Sequence, residues 1–204
     1  MSEAEGVIKY ELSFQQTDLP DVDISLINCW RELLVQLDLV GQHPGRYGGL
    51  GFGNLSMRTP DGFLITGTQT GGIQQLSLSD YALVTSWHLE DNIIEAKGQV
   101  RPSSEALTHA AIYTNCAQAN FVFHCHSPRI WQVAGNIGLM ITDATVPYGT
   151  PAMAREVALK LRERGSPAIM AMGGHEDGIV AWGEDADAAG LLLVQCLVRA
   201  TRCH

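Results

Sequence analysis

The stretch Phe121–His126, reading FVFHCH, constrains this chain more than any other. It is short, apolar and aromatic, which favours a pleated strand over a helix. Side chains on a strand alternate between faces, so His124 and His126 project from one side and Cys125 from the other. Two neutral imidazoles on one face are half of a zinc site, where Zn–N is about 2.0–2.1 Å. The competing reading is a pair of solvated histidines on a half-exposed strand. Phe121, Val122 and Phe123 argue for burial, and unpartnered imidazoles are costly in apolar surroundings.

The rest of the chain is punctuated mainly as hairpins. Asp61-Gly62 reads as a turn between a strand ending near Arg58 and the strand Phe63–Thr66. Tyr81–Leu89 with Ile93–Lys97, and Ala168–Met172 with Gly178–Trp182, form two more strand pairs. Helical spacing of Leu26, Ile27, Trp30, Leu33, Leu34 and Leu37 predicts a helix over Asp23–Leu39, stopped at Gly41. Pro102-Ser103-Ser104 opens a second helix running to Asn115. Thr150-Pro151 starts a third, ended by Gly165, and a last spans Asp185–Arg202. Residues 1–20 hold a short edge strand or a loose arm. The passage GRYGGLGFGNLSMR is dense in glycine without forming the dinucleotide fingerprint. Residues 1–204 are therefore expected to form a single α/β domain, with a mostly antiparallel central sheet flanked by helices.

Charge and composition narrow the function classes. The formal net charge of −9 disfavours a sequence-independent grip on nucleic acid. No run of 18 apolar residues suggests a membrane span, and MSEAEGVIKYELSF lacks the basic and apolar regions of a signal peptide. Five cysteines, odd in number and without a CxxC pair, indicate neither a disulfide framework nor a cysteine zinc site. A cytoplasmic protein with small-molecule or protein partners is expected.

A metal held by His124 and His126 needs a third ligand, and His175 in the turn MGGHEDG is the best candidate. By itself, a histidine in a turn is more often solvated. Glu105 lies at the start of the second helix, with His109 four residues on along the same face. Glu105 reads either as a complement to the helix dipole or as a general acid/base beside the metal. Ser103 and Ser104 read either as N-caps or, with the helix's free amides and nearby Arg101, as an anion site. His43, His88 and His204 have no such context.

In order, the segments GNLSMR, FLITGTQTGG, KGQVRPSSEALTHAAIY, FVFHCHSP, VPYGTPAMA and GGHEDGIVAWGEDADAAG resemble the class II aldolase/adducin family. The resemblance runs from Trp30 to Ala188. It implies that His124, His126 and His175 bind a divalent metal, zinc foremost, and that Glu105 is the acid/base. It places Gly53, Asn54, Ser103 and Ser104 among the phosphate-contacting positions and Tyr113, a candidate catalytic residue, at a tyrosine of the motif. It implies a homo-oligomer, a ring-like tetramer. Two departures stand out. ITGTQTGG lacks the proline of the family's Thr-Pro-Ser/Thr-Gly turn, and Glu176-Asp177 follow His175 where glycine is usual. Either His175 binds metal from an altered turn, or a nearby carboxylate joins the shell.

The implied activity is that of a metal-dependent, aldolase-type lyase. A keto-sugar or sugar phosphate would be chelated through its ketone oxygen and neighbouring hydroxyl, with the metal stabilising an enediolate and Glu105 moving the proton. A dehydratase needs the same apparatus. An epimerase of the family typically carries aspartate where Glu105 stands. An adducin-like interaction module is the reading of another class, although a scaffold has no need of the histidines and Glu105.

Overall fold

The central strand meets its neighbours in a register that fixes which face each side chain takes. The computed structural model describes residues 6–164 and 168–203, with Gly165, the expected helix stop, and His204 outside them. Strand β1 (Glu11–Gln16) precedes helix α1 (Ser25–Gln36), the two-residue strands β2 (Gly41–Gln42) and β3 (Gly51–Phe52), and the hairpins β4 (Asn54–Thr59)–β5 (Gly62–Thr66) and β6 (Tyr81–His88)–β7 (Ile93–Gly98). Then follow α2 (Ala106–Asn115), β8 (Phe121–His126), α3 (Pro128–Gln132), β9 (Met140–Ile141), α4 (Pro151–Arg164), β10 (Ile169–Ala171), β11 (Gly178–Gly183) and α5 (Ala186–Thr201). Nine strands form one sheet in the order β1-β7-β6-β5-β4-β8-β11-β10-β9, while β2 and β3 pair separately. Its inner pairings are antiparallel; only the edge pairs, β1 with β7 and β9 with β10, are parallel. This is the expected α/β architecture, with the edge strand at the start and four short elements, β2, β3, α3 and β9, that no sequence signal marked.

Each face of the sheet has its own core. Phe123 and Cys125 of β8, with Leu55 and Ile179 beside them, pack with Ile27 and Leu34 of α1, Ile130 of α3 and Leu193 of α5. Val122, Val180 and Trp182 turn the other way, toward Leu107 and Ala111 of α2 and Met153 and Val157 of α4. Helix α2 is buried from Ala106 to Tyr113, as befits a helix apolar nearly all round. Asn54 and Val180 lie opposite His124, and Gly178 opposite His126. The histidines therefore enter the layer between the sheet and α2. No helix among the described residues is long and apolar enough to cross a membrane.

Helix α1 departs from its expected form in two ways. Its buried stripe is Ile27, Arg31 and Leu34, whereas Leu26 and Leu33 are exposed. Arg31 takes a core position because its guanidinium donates to the carbonyls of Thr70, Gly71, Ile73 and Gln74. The helix also stops before Gly41. Asp38 adopts φ 57°, and the Leu39 and Asp38 amides return to the Leu34 and Val35 carbonyls, which is a Schellman ending.

Helices α1 and α5 meet where the Trp30 ring lies on Gly190, so that a methyl group there would collide with the indole. Trp30 is further held by its Nε1, which donates to Asp187 Oδ1 at 2.8 Å. In a solvated helix, glycine to alanine would add about 1 kcal/mol of stability. Here Gly190→Ala is expected to lower it by about 1–3 kcal/mol through overpacking. Urea unfolding of the two proteins measures this directly.

Candidate metal centre and its pocket

Three histidines converge on the α2 side of the sheet. His124 and His126 come from β8, as period two requires, and His175 from the turn between β10 and β11. One ring nitrogen from each lies within 4.8 Å of the other two, and all three residues are buried. The Nε2 atoms of His124 and His126 are 3.2 Å apart. Ligands about 2.0–2.1 Å from one tetrahedral ion stand about 3.3 Å apart, so this pair has the right spread. His124 Nδ1 donates to the Ile179 carbonyl at 3.1 Å, which leaves Nε2 as the lone-pair nitrogen facing His126. Burial, followed by the charge of His175, holds His124 and His126 well below the usual imidazole range. They stay neutral, as metal ligands must.

Glu105 lies against this cluster. Helix α2 begins at Ala106, later than expected, and Glu105 occupies the N-cap position without capping through its side chain. It is therefore not a first-turn charge facing solvent. It is 1% exposed, its Oε2 accepts from Thr108 Oγ1 at 2.8 Å, and its Oε1 stands 3.9 Å from His175 Nδ1. The Tyr148 ring stacks on His175 at 4.2 Å. Tyr148 belongs to VPYGTP, a segment whose proline signalled a helix start and whose tyrosine carried no signal of its own.

Beside the histidines is a polar pocket of about 310 Å³ of empty volume, open to solvent. Gly53, Asn54, Ser103 and Ser104 line it, together with the Gly67–Gly71 loop from ITGTQTGG. Gly53 has φ 74°, and a Cβ there would press on Val40 and the His124 carbonyl, so the backbone's close approach needs glycine. Asn54 Oδ1 is buried without a hydrogen-bond partner among the described residues. Arg101 is exposed and outside the lining, and supplies only its carbonyl to the Thr68 amide.

Tyr113 is placed elsewhere. Its hydroxyl bonds Ser56 Oγ at 2.7 Å and its ring packs on Phe63 under the Arg58 guanidinium. Ser56 also bonds His109 Nδ1 at 2.7 Å. Tyr113 thus belongs to a buried network in the core, set apart from the histidine cluster by Ser56 and His109, and not to the cluster itself. The physical reason is helical phase: eight residues beyond Glu105 carry the tyrosine two turns down α2, over β4 and β5. Of the acids after His175, Glu176 is exposed, and Asp177 Oδ2 accepts from Tyr47. His43 and His88 are exposed.

The family model of the Class II Aldolase and Adducin N-terminal domain matches residues 46–203. The chain belongs to the class II aldolase/adducin family. A 3-oxo-tetronate 4-phosphate decarboxylase of Cupriavidus necator is 31% identical over 126 residues, covering 58% of this chain. The match spans about half, 53%, of that relative. In fold, this family member is similar to the L-fuculose-1-phosphate aldolase of Thermus thermophilus, with TM-score 0.63 and 19% identity over 88% of this chain and 91% of that one. A second structure, of an L-fuculose 1-phosphate aldolase, gives TM-score 0.66 and 18% identity over 90% and 85% of the two chains. Members of the family typically depend on a divalent metal.

The buried histidines set a pH dependence. Desolvation lowers His109 to about 3, against about 6.5 in an unfolded chain. The unfolded state therefore gains the proton first, and stability falls with pH from about 6.5 down to about 3, by up to roughly 1.4 kcal/mol per unit for this group. Between pH 7 and pH 5, His109→Asn is expected to lose about 2 kcal/mol less unfolding free energy than the parent. Denaturant unfolding of metal-free protein at the two pH values measures the difference.

Proposed function

We propose that this chain is a metal-dependent lyase of the aldolase type, acting on a small hydroxy-ketone or sugar phosphate. The observation that carries the proposal is a buried carboxylate, Glu105, 3.9 Å from a buried cluster of three histidines. A core has no packing reason to gather these groups, because burying them is costly unless they are matched. His124, His126 and His175 would hold the ion. Bound there, a divalent metal supplies a Lewis acid for a carbonyl oxygen, with positions left open for substrate.

The protein's own part is positioning and proton transfer. Cleaving a carbon–carbon bond next to a carbonyl leaves an electron pair on carbon, and Glu105 stands where it can deliver or remove that carbon's proton. Thr108 holds one carboxylate oxygen and so aims the other at the cluster. Asn54, Ser103 and Ser104 offer hydrogen bonds to the polar end of a substrate, and the unmatched Asn54 Oδ1 fits a pocket completed by a ligand. The decarboxylase relative supports a second reading, loss of carbon dioxide from a 3-oxo acid phosphate. It breaks the same kind of bond and calls on the same residues.

Elemental analysis of purified protein is expected to give about one divalent ion per chain, zinc foremost, and His124→Ala with His126→Ala to abolish it. Glu105→Gln is expected to keep fold and metal while turnover falls roughly 10²–10⁴-fold, read on a panel of keto-sugars, their phosphates and 3-oxo acid phosphates. Full metal occupancy without the two histidines, or normal turnover without the carboxylate, overturns the reading. We further propose a homotetramer, to which exposed Leu26, Leu33 and Val35 of α1 and Leu191 and Val198 of α5 lend apolar surface. Light scattering at micromolar concentration is expected to return four times the 22.1 kDa chain mass; a monomer mass refutes it.

A further inference from the structure

We infer that Tyr47 and Asp177 are positioning residues that clamp the histidine cluster, an inference that rests on the metal reading of that cluster. Tyr47 touches both histidine-bearing elements at once, β8 and the turn between β10 and β11. Its ring meets the His126 ring edge-on at 4.7 Å and the Phe52 ring at 5.1 Å. Its hydroxyl donates to Asp177 Oδ2 at 2.8 Å, in the turn that carries His175. That turn is closed by the Gly178 amide on the His175 carbonyl at 2.9 Å, and the Asp177 carbonyl accepts from the Ser127 amide at 2.8 Å. Asp177 therefore joins the His175 turn to the end of β8 through its backbone and to Tyr47 through its side chain.

The polarity of this bond is fixed from behind. Arg46 Nη2 donates to the Tyr47 hydroxyl oxygen at 3.0 Å, so the tyrosine proton is left for Asp177. Arg46 Nη1 in turn bonds Asp38 Oδ2 at 2.6 Å, and the guanidinium covers the Phe52 ring at 4.5 Å. The chain Asp38–Arg46–Tyr47–Asp177 thus runs from the end of α1 to the third histidine. Both ends of the tyrosine–aspartate bond are residues with left-handed backbone, φ 48° and 62°. Such conformations cost about 1–2 kcal/mol in residues other than glycine and persist where surrounding contacts impose them. Partners of this kind, which orient metal-binding imidazoles without touching the ion, typically change metal affinity 10- to 100-fold when removed.

The test uses the full chain, stripped of metal, with zinc dissociation constants measured by competition with a chromogenic chelator. Tyr47→Phe and Asp177→Ala are each expected to weaken zinc about 10- to 100-fold. The double variant is expected to lose no more than the larger single loss, because both remove one contact. Asp177→Asn keeps an oxygen for the hydroxyl and is expected to stay within a few-fold of the parent. Cobalt(II) absorption of the loaded variants is expected to shift for Tyr47→Phe and not for Asp177→Asn. Melting of the metal-free forms identifies any variant that is unfolded; should Asp177→Ala be one, Tyr47→Phe and Asp177→Asn decide. Parent affinity in Tyr47→Phe, or losses that multiply in the double variant, overturns the clamp alone. A parent chain that takes up no zinc overturns the metal reading and the clamp together.

Discussion

Three imidazoles lie within 4.8 Å of one another in a buried layer that holds His124 and His126 well below the usual imidazole range, and much of the surrounding structure serves that condition. Protonating either of these two would place a charge among closely packed imidazoles in a medium where charge is poorly solvated. The sheet meets the condition by geometry. Period two on β8 aims two rings at one spot, and the antiparallel neighbour β11 brings the third from its entry turn. The Ile179 carbonyl on β11 takes the Nδ1 proton of His124, so one backbone group both continues the sheet and selects a tautomer. Glu105 then brings a carboxylate to within 3.9 Å of His175. A cation bound between them, as the proposed metal reading has it, would complement both sides.

Helix α2 supplies the carboxylate because of where it begins. Had it started at Ser104, as the Pro-Ser-Ser pattern suggests, Glu105 would sit in its first turn. Instead the Ser103 carbonyl and hydroxyl take the Ala106 and Glu105 amides, which delays the first turn and leaves Glu105 at the junction. Ser103 and Ser104 are thereby left on the pocket wall. The burial of α2 on nearly every side, with alanines at 106, 110 and 111, lets this junction approach the sheet closely enough for a carboxylate to reach His175.

What the sequence made legible follows from the range of the interactions concerned. Strand β8 and the hairpins depend on neighbours in sequence, so alternation and Asp-Gly turns reveal them. His124 and His126 were readable for the same reason. His175 was a candidate only by its place in a turn, since its approach to β8 is a tertiary fact. Arg31 carried no signal of its own, because nothing local announces the four carbonyls that bury it. Tyr113 shows the limit of a motif position: it lies in the right segment, but two helical turns from Glu105 it meets Ser56 and Phe63 instead of the histidines. Tyr47 and Asp177 are 130 residues apart, and no spacing rule connects them.

The loop that departs from the family's proline-containing turn is also the wall of the pocket, and its chemistry there follows from what proline lacks. Proline offers no N–H, whereas every residue of Gly67–Gly71 has one. Carbonyl oxygens in such a wall would repel an anion, but those of Thr70 and Gly71 are drawn onto Arg31, and that of Gly67 accepts from Thr70 Oγ1. Two of the loop's amides are matched within the protein, Gly67 on the Asp80 carbonyl and Thr68 on the Arg101 carbonyl, while Gln69, Thr70 and Gly71 line the pocket with Ser103 and Ser104. A phosphate or carboxylate needs donors from such a wall, because each of its oxygens accepts and none donates when ionised. The buried arginine of α1 thus shapes the pocket wall without entering it, by drawing the Thr70 and Gly71 carbonyls onto its guanidinium.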